Sequence, residues 1–153
     1  MILGFWIGQF IFSWTMWLIF AQRGQWHKYL SVCIFASWLS LVVEAIMVYY
    51  TLWSYSGHPL IGLLVNGFGV YIVTLYLFVQ WLPTDHSFKA LFWYFFKWTL
   101  AAIIFELIHA SLGHITYYKW WNIGYSYLAD WFLFWLFFKY HLFVSTERDP
   151  LPQ

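Results

Sequence analysis

Five long apolar runs, broken by short polar stretches, account for almost the whole chain: residues 2–21, 29–51, 60–82, 90–113 and 122–143. Each matches the roughly 20 residues an α-helix needs to cross a bilayer. The breaks are rich in residues that stop or turn helices. Gln22-Arg23-Gly24-Gln25-Trp26-His27-Lys28 closes the first run, and Pro83-Thr84-Asp85-His86-Ser87 closes the third. Ser54, Ser56, Gly57, His58 and Pro59 stand between the second and third. Residues 114–121 join the last two runs. A transmembrane β-barrel strand would alternate polar and apolar residues over about ten positions. Here the runs are continuous, and in lipid a continuous run must satisfy its backbone internally, as a helix. The pattern predicts an all-α, polytopic membrane protein, a bundle of five transmembrane helices over residues 1–143. A polar tail, 144–153, with two prolines is expected to be frayed. The first run has no Lys or Arg before it and exceeds the ~7–15 apolar residues of a signal-peptide core, so it reads as a span.

Composition narrows the classes further. Hydrophobic residues make up 63% of the 153 and charged residues only 8%, against roughly 25% charged in a soluble domain. A soluble fold this size would expose much of that surface and aggregate. One cysteine, Cys33, excludes an internal disulfide. Seven Lys+Arg against six Asp+Glu excludes a basic nucleic-acid binder. The partner the composition calls for is the lipid bilayer.

Lys and Arg set the orientation. Arg23, Lys28, Lys89, Lys97, Lys139 and Arg148 fall in, or near the helix ends facing, the first loop, the third loop and the tail; only Lys119 falls on the other side. This predicts an outside N-terminus and a cytoplasmic C-terminus. Trp26, Trp53, Trp81, Tyr117, Trp120 and Trp121 cluster near run ends, as interfacial anchors do.

The candidate chemistry lies inside the runs. Gln9, Glu44, Asn66, Glu106 and Asp130 each lie six to eight residues from the same end of their spans. At about 1.5 Å per residue that is one layer about 10 Å below one boundary. His109 lies a turn nearer that boundary. The faces agree: Ser37, Ser40 and Glu44; Gly62, Asn66 and Gly69; Ala102, Glu106, His109 and Gly113; Asn122, Ser126 and Asp130. Gly4-x-x-x-Gly8 beside Gln9 reads as a close-packing face. An ionised carboxylate at mid-membrane costs on the order of 2.5–3.5 kcal/mol on insertion scales. No Lys or Arg lies deep enough to compensate, leaving His109, a proton, an external metal ion or a down-reaching Lys119. Gln9, Glu44, Asn66, Glu106, His109 and Asp130 are therefore expected to converge, either as helix-packing glue or as a pocket for a cation, proton or small polar ligand.

Glu106-x-x-His109 puts two ligand types on one helix face, as in di-metal carboxylate bundles. With Glu44 and Asp130 it could hold one divalent metal ion, and His58 and His114 in the connectors could extend it. Loop histidines at an interface are the plainer reading of those two. No haem or retinal is expected: a two-histidine haem needs a second intramembrane histidine, and a Schiff base needs a mid-span lysine. No Gly-rich phosphate loop and no Gly-x-Ser-x-Gly points to an enzyme. Cys33 reads as a packing residue. Asp85-His86 reads as part of a helix N-cap. A weak internal echo links Glu44, Tyr49-Tyr50, Trp53 and Asn66 with Glu106, Tyr117-Tyr118, Trp120 and Asp130, a parallel repeat of two hairpins.

Glu106, Gly113, Ile115, Tyr117, Trp121-Asn122 and Tyr125-Ser126, with Asn66-Gly67 and Trp81-Leu82-Pro83, form a pattern that resembles a family of small, about five-pass membrane proteins of spore-forming Gram-positive bacteria. The resemblance covers the third to fifth runs. It implies five spans and a bacterial plasma membrane, and it brings neither a reaction nor catalytic residues. Two functions fit: binding or conducting a cation or proton through the polar layer, or serving as a non-enzymatic subunit or scaffold, in a homo-oligomer or a larger membrane complex, with the layer as packing glue.

Overall fold

The computed structural model describes residues 2–148 of the chain, with the side chains of 2–145. Helix α1 spans Ile2–Phe20 and α2 Trp26–Tyr49, joined through a 3-10 turn, Arg23–Gln25. Strand β1, Trp53–Tyr55, leads to a bent span. That span comprises α3, Pro59–Val65, a π-helical turn, Asn66–Tyr71, and α4, Ile72–Gln80. Helix α5 is Phe88–Ser111, β2 is Ile115–Tyr117 and α6 is Ile123–Arg148. The final helix runs past Phe143, so the stretch expected to fray is helical as far as Arg148, and the remainder of the tail, 149–153, lies outside the described residues.

Among the described residues, four spans are long and apolar enough to cross a membrane: Ile2–Phe20, Arg23–Tyr49, Pro59–Gln80 and Phe88–Ser111. The fifth helix, α6, has the length but not the hydropathy, because Asp130, Lys139 and His141 interrupt it and much of its bulk is Trp and Tyr. The outside of the bundle is apolar: Ile11, Ile34, Trp38, Ile104, Leu128 and Phe132 are all exposed. In water such a surface would aggregate; in lipid it carries no penalty.

Helix starts follow local chemistry. His58 accepts from the Leu60 amide ahead of Pro59, which needs no amide partner at the first helical position. Ser87 caps α5 by accepting from the Ala90 amide, and Asp85 in turn accepts from the Ser87 amide and hydroxyl. The N-cap is thus Ser87, with Asp85 bracing it.

The structure keeps the Glu44–Glu106 step of the internal echo but not its aromatic steps: at one displacement Tyr49-Tyr50 answers to Ser111-Leu112 and Trp53 to Ile115, not to Tyr117-Tyr118 and Trp120. Trp26 answers to Phe88 and Tyr49 to Ser111, so α2 and α5 have the same length and are displaced by 62 residues. The strands keep that displacement, Trp53 to Ile115 and Tyr55 to Tyr117. So do the left-handed turn residues flanking them, Thr51 to Gly113 and Gly57 to Lys119. Within the pairs, Glu44 matches Glu106, Tyr55 matches Tyr117 and Gly62 matches Gly124. The strands pair antiparallel with Ser54 opposite Thr116, which are themselves counterparts. The two strands are therefore related by a local two-fold axis through that pair. The equivalence ends at the π turn: Asn66 would answer to Leu128, whereas Asp130 lies further along. Helix α1 stands outside the repeat.

The core lies away from the strands, where Val32, Cys33, Phe78, Phe95, Phe134 and Phe138 are buried together. Cys33 is a packing residue there. At this end Phe78 meets Tyr94, Phe95 and Trp98 of α5. Nearer the strands the pseudo-symmetry fails. Helix α2 packs on α6, but its counterpart α5 stands off α4, and α1 packs on α3 and α4 rather than filling the gap.

Candidate intramembrane polar cleft

The gap between α4 and α5 is a cavity of about 310 Å³. Tyr71 and Thr74 form one wall, and Ala102, Glu106 and His109 the other. Asp130 and Phe134 of α6 close it on one side and Ser13 of α1 on another, while Trp53, Tyr55 and Ile115 of the strand ribbon lie at its end. Glu106, Tyr71 and Asp130 lie deep in the bundle yet are only half-buried, because they face this space.

One hydrogen-bonded chain crosses it at the strand end. The Gln9 amide donates to Asn66 Oδ1 at 2.8 Å, and Gln9 Oε1 meets His109 Nε2 at 2.8 Å. Asn66 Nδ2 donates to the Tyr55 hydroxyl at 2.9 Å. His109 Nδ1 lies 2.8 Å from the Phe105 carbonyl. A carbonyl and an amide oxygen each require a donor, yet a neutral imidazole carries one N–H. The Phe105 contact is the local i to i−4 one, and Gln9 is shared with Asn66, so proton placement on His109 sets the direction of the chain. All three of Gln9, Asn66 and His109 are buried.

A second chain lies on the other wall. Glu106 accepts from the Tyr117 hydroxyl at 2.6 Å and the Ser126 hydroxyl at 2.7 Å. Trp121 Nε1 donates to Ser126 at 3.2 Å. Burial and the adjacent Glu106 carboxylate both hold the Tyr117 phenol, in its connector strand, well above the usual tyrosine range. Asp130 lies within electrostatic reach of Glu106.

Glu44 belongs to neither chain. It is 2% exposed, and both carboxyl oxygens are buried without a hydrogen-bond partner. The polar groups around it are the Tyr55 and Tyr71 hydroxyls and the Asn66 amide. Its repeat counterpart Glu106 accepts from Tyr117, whereas Tyr55, the counterpart of Tyr117, accepts from Asn66 and keeps its own O–H to donate.

The structure thus brings Gln9, Asn66 and His109 into contact, sets Glu106 and Asp130 across the cavity wall, and holds Glu44 behind Tyr55 and Tyr71. It does not assemble the divalent-metal set of Glu106, His109, Glu44 and Asp130. Among the described residues no three His, Cys, Asp or Glu side chains converge on a metal position. The reason is that His109 turns toward α1 and Glu106 toward β2 and α6. His58 caps α3, and His114 stacks on Phe5 at 3.6 Å and meets the Ser56 hydroxyl. Lys119 donates to the Tyr50 carbonyl instead of reaching down. The Gly4-x-x-x-Gly8 face is not a packing face within the chain: a Cβ at either glycine would meet nothing within 4 Å. Gly62 and Gly67 carry that role instead, approached by Tyr55 and Leu41. Sequence reasoning missed Tyr55, Tyr71 and Trp53 as cavity residues. The paired strands that aim Tyr55 inward are three residues each, too short for a period-2 signal.

Four helices able to cross a membrane, an apolar exterior and a polar interior layer define the build of a multi-pass membrane protein. The chain matches no protein-family model, no curated protein and no solved structure.

Proposed function

We propose that this chain is a small five-span protein of a bacterial plasma membrane that binds or conducts a cation or proton through the polar layer at its strand end. Glu44 carries the reading. A carboxyl group this deeply buried, with the neutral Tyr55, Tyr71 and Asn66 side chains around it, holds a proton or takes up a cation, since a buried carboxylate with no cation beside it is too costly to persist. Helix α6 serves as the fifth span. Its Trp and Tyr weigh little on hydropathy scales, yet they bury large apolar area. The Lys and Arg count supports an outward-facing strand end.

The test is flux. Purified protein in liposomes should pass protons or a monovalent cation, and Glu44→Gln should lower the rate at least tenfold. Equal rates in wild type and variant would overturn the reading. One observation favours the rival role as a subunit or scaffold: the open face at Gly4 and Gly8 on α1. Absent flux together with copurification of a stoichiometric membrane partner would favour that role.

A further inference from the structure

We propose that the cleft between α4 and α5 binds an amphipathic organic monocation, one with an ammonium-type head and an aromatic or branched apolar body. The proposal rests on the cation reading above and names its ligand class.

Three observations carry it. The first is size and lining. A space of about 310 Å³ is far more than a proton or a bare metal ion needs and falls in the range that holds small organic ligands. The second is charge. Two carboxyl side chains, Glu106 and Asp130, stand in the wall, and no Lys or Arg does. An anion would find no Lys or Arg partner in the wall, and a phospholipid headgroup would leave its phosphate unpaired. Among the described residues, a divalent metal would lack a third converging ligand. The third is the apolar remainder of the wall. Phe12, Tyr71, Trp98, Phe105, Phe134 and Phe137 surround the carboxyls, and aromatic faces attract a weakly hydrated cation within about 6 Å. Two polar groups around the site are also left waiting. Trp53 Nε1, in the wall, is buried without a partner, and so are both oxygens of Glu44, behind Tyr55 and Tyr71.

Such a ligand separates its two parts as the cavity does. Its head would lie against Glu106 and Asp130, and its body among the rings toward Phe134. The broken pseudo-symmetry is what makes room, since the counterpart contact between α2 and α6 is closed.

The experiment uses the full chain in lipid nanodiscs, with benzyltrimethylammonium as probe and the fluorescence of the wall tryptophans as readout. Its neutral carbon isostere, neopentylbenzene, has the same shape without the charge. The expected result is saturable binding of the cation, at least tenfold weaker binding of the isostere, and at least tenfold loss of affinity for the cation in Asp130→Asn and Glu106→Gln. Equal binding of cation and isostere by the wild type would overturn the proposal, even if neither variant folds. Folded variants that bind the cation unchanged would overturn it too. Absent binding of the probe alongside Glu44-dependent proton or sodium flux would sink the organic-cation assignment and leave the broader reading standing. Absence of both would end both.

Discussion

Gln9 is the residue on which three spans depend. Its one side-chain amide answers Asn66 with the N–H and His109 with the carbonyl, so truncation strands two buried groups at once. Interhelical hydrogen bonds in membranes average about 0.6 kcal/mol and reach about 1.7. Gln9→Ala should therefore destabilise the bundle by about 1–2 kcal/mol in denaturant titrations of the micellar protein. Asn66→Ala added to it should cost much less than Asn66→Ala alone, because the two side chains act as one unit. Strict additivity of the two would show that the chain across the cleft contributes nothing. Glu44 is the opposite case: a carboxyl 2% exposed, with no cation beside it and only the Tyr55, Tyr71 and Asn66 side chains to answer its oxygens.

Elements show how local chemistry and tertiary demand divide the work. The start of α5 is local. Ser87 accepts from Ala90, and Asp85 orients Ser87. Ser87→Ala should cost about 1 kcal/mol. Hydrogen bonds from the Ser87 hydroxyl and amide hold the exposed Asp85 carboxyl below its usual range. A depressed carboxyl stabilises the fold above its unfolded value of about 3.9 and withdraws that support as pH falls through the folded value. Amide exchange at residues 88–91 should accordingly speed up at acid pH beyond the intrinsic trend, and Asp85→Asn should abolish the difference. An unchanged pH profile in that variant would disprove the brace. The π turn, by contrast, answers to packing. Gly67 admits Leu41 and Gly69 admits Phe10, where a Cβ would stand 2.7 and 3.0 Å from those side chains. The widened turn sets Asn66 toward Gln9 and Tyr55 while leaving α4 free to bury Val73, Tyr76 and Leu77.

At the scale of the whole molecule, a two-fold repeat is fitted with one asymmetric helix. The strand ribbon locks the two hairpins at one end, tilted and edge-on ring contacts around Phe78 lock them at the other, and the cleft lies between. Orientation is testable through the connectors. His58 and Gly24 are both exposed, on opposite sides of the bundle, and Cys33 is buried. In a Cys33→Ser background, a membrane-impermeant maleimide added to intact cells should label His58→Cys and spare Gly24→Cys. The reverse pattern would invert the topology.

A mostly helical chain with several runs apolar enough to cross a membrane was legible from the sequence, because both depend on local quantities: run length against bilayer thickness and the stop signals in the connectors. The pairing of Glu44 with Glu106 across two hairpins was faintly legible for the same reason, since a repeat preserves spacing. Which partner each polar side chain would choose was not. Glu106 and His109 share a helix face, yet one turns to Tyr117 and Ser126 and the other to Gln9. That choice depends on where α1 and the strand ribbon come to rest. The cleft itself is set by the failure of α5 to close on α4 as α2 closes on α6. No local pattern records it, because it is a property of how six helices share one volume and of the space their side chains leave unfilled.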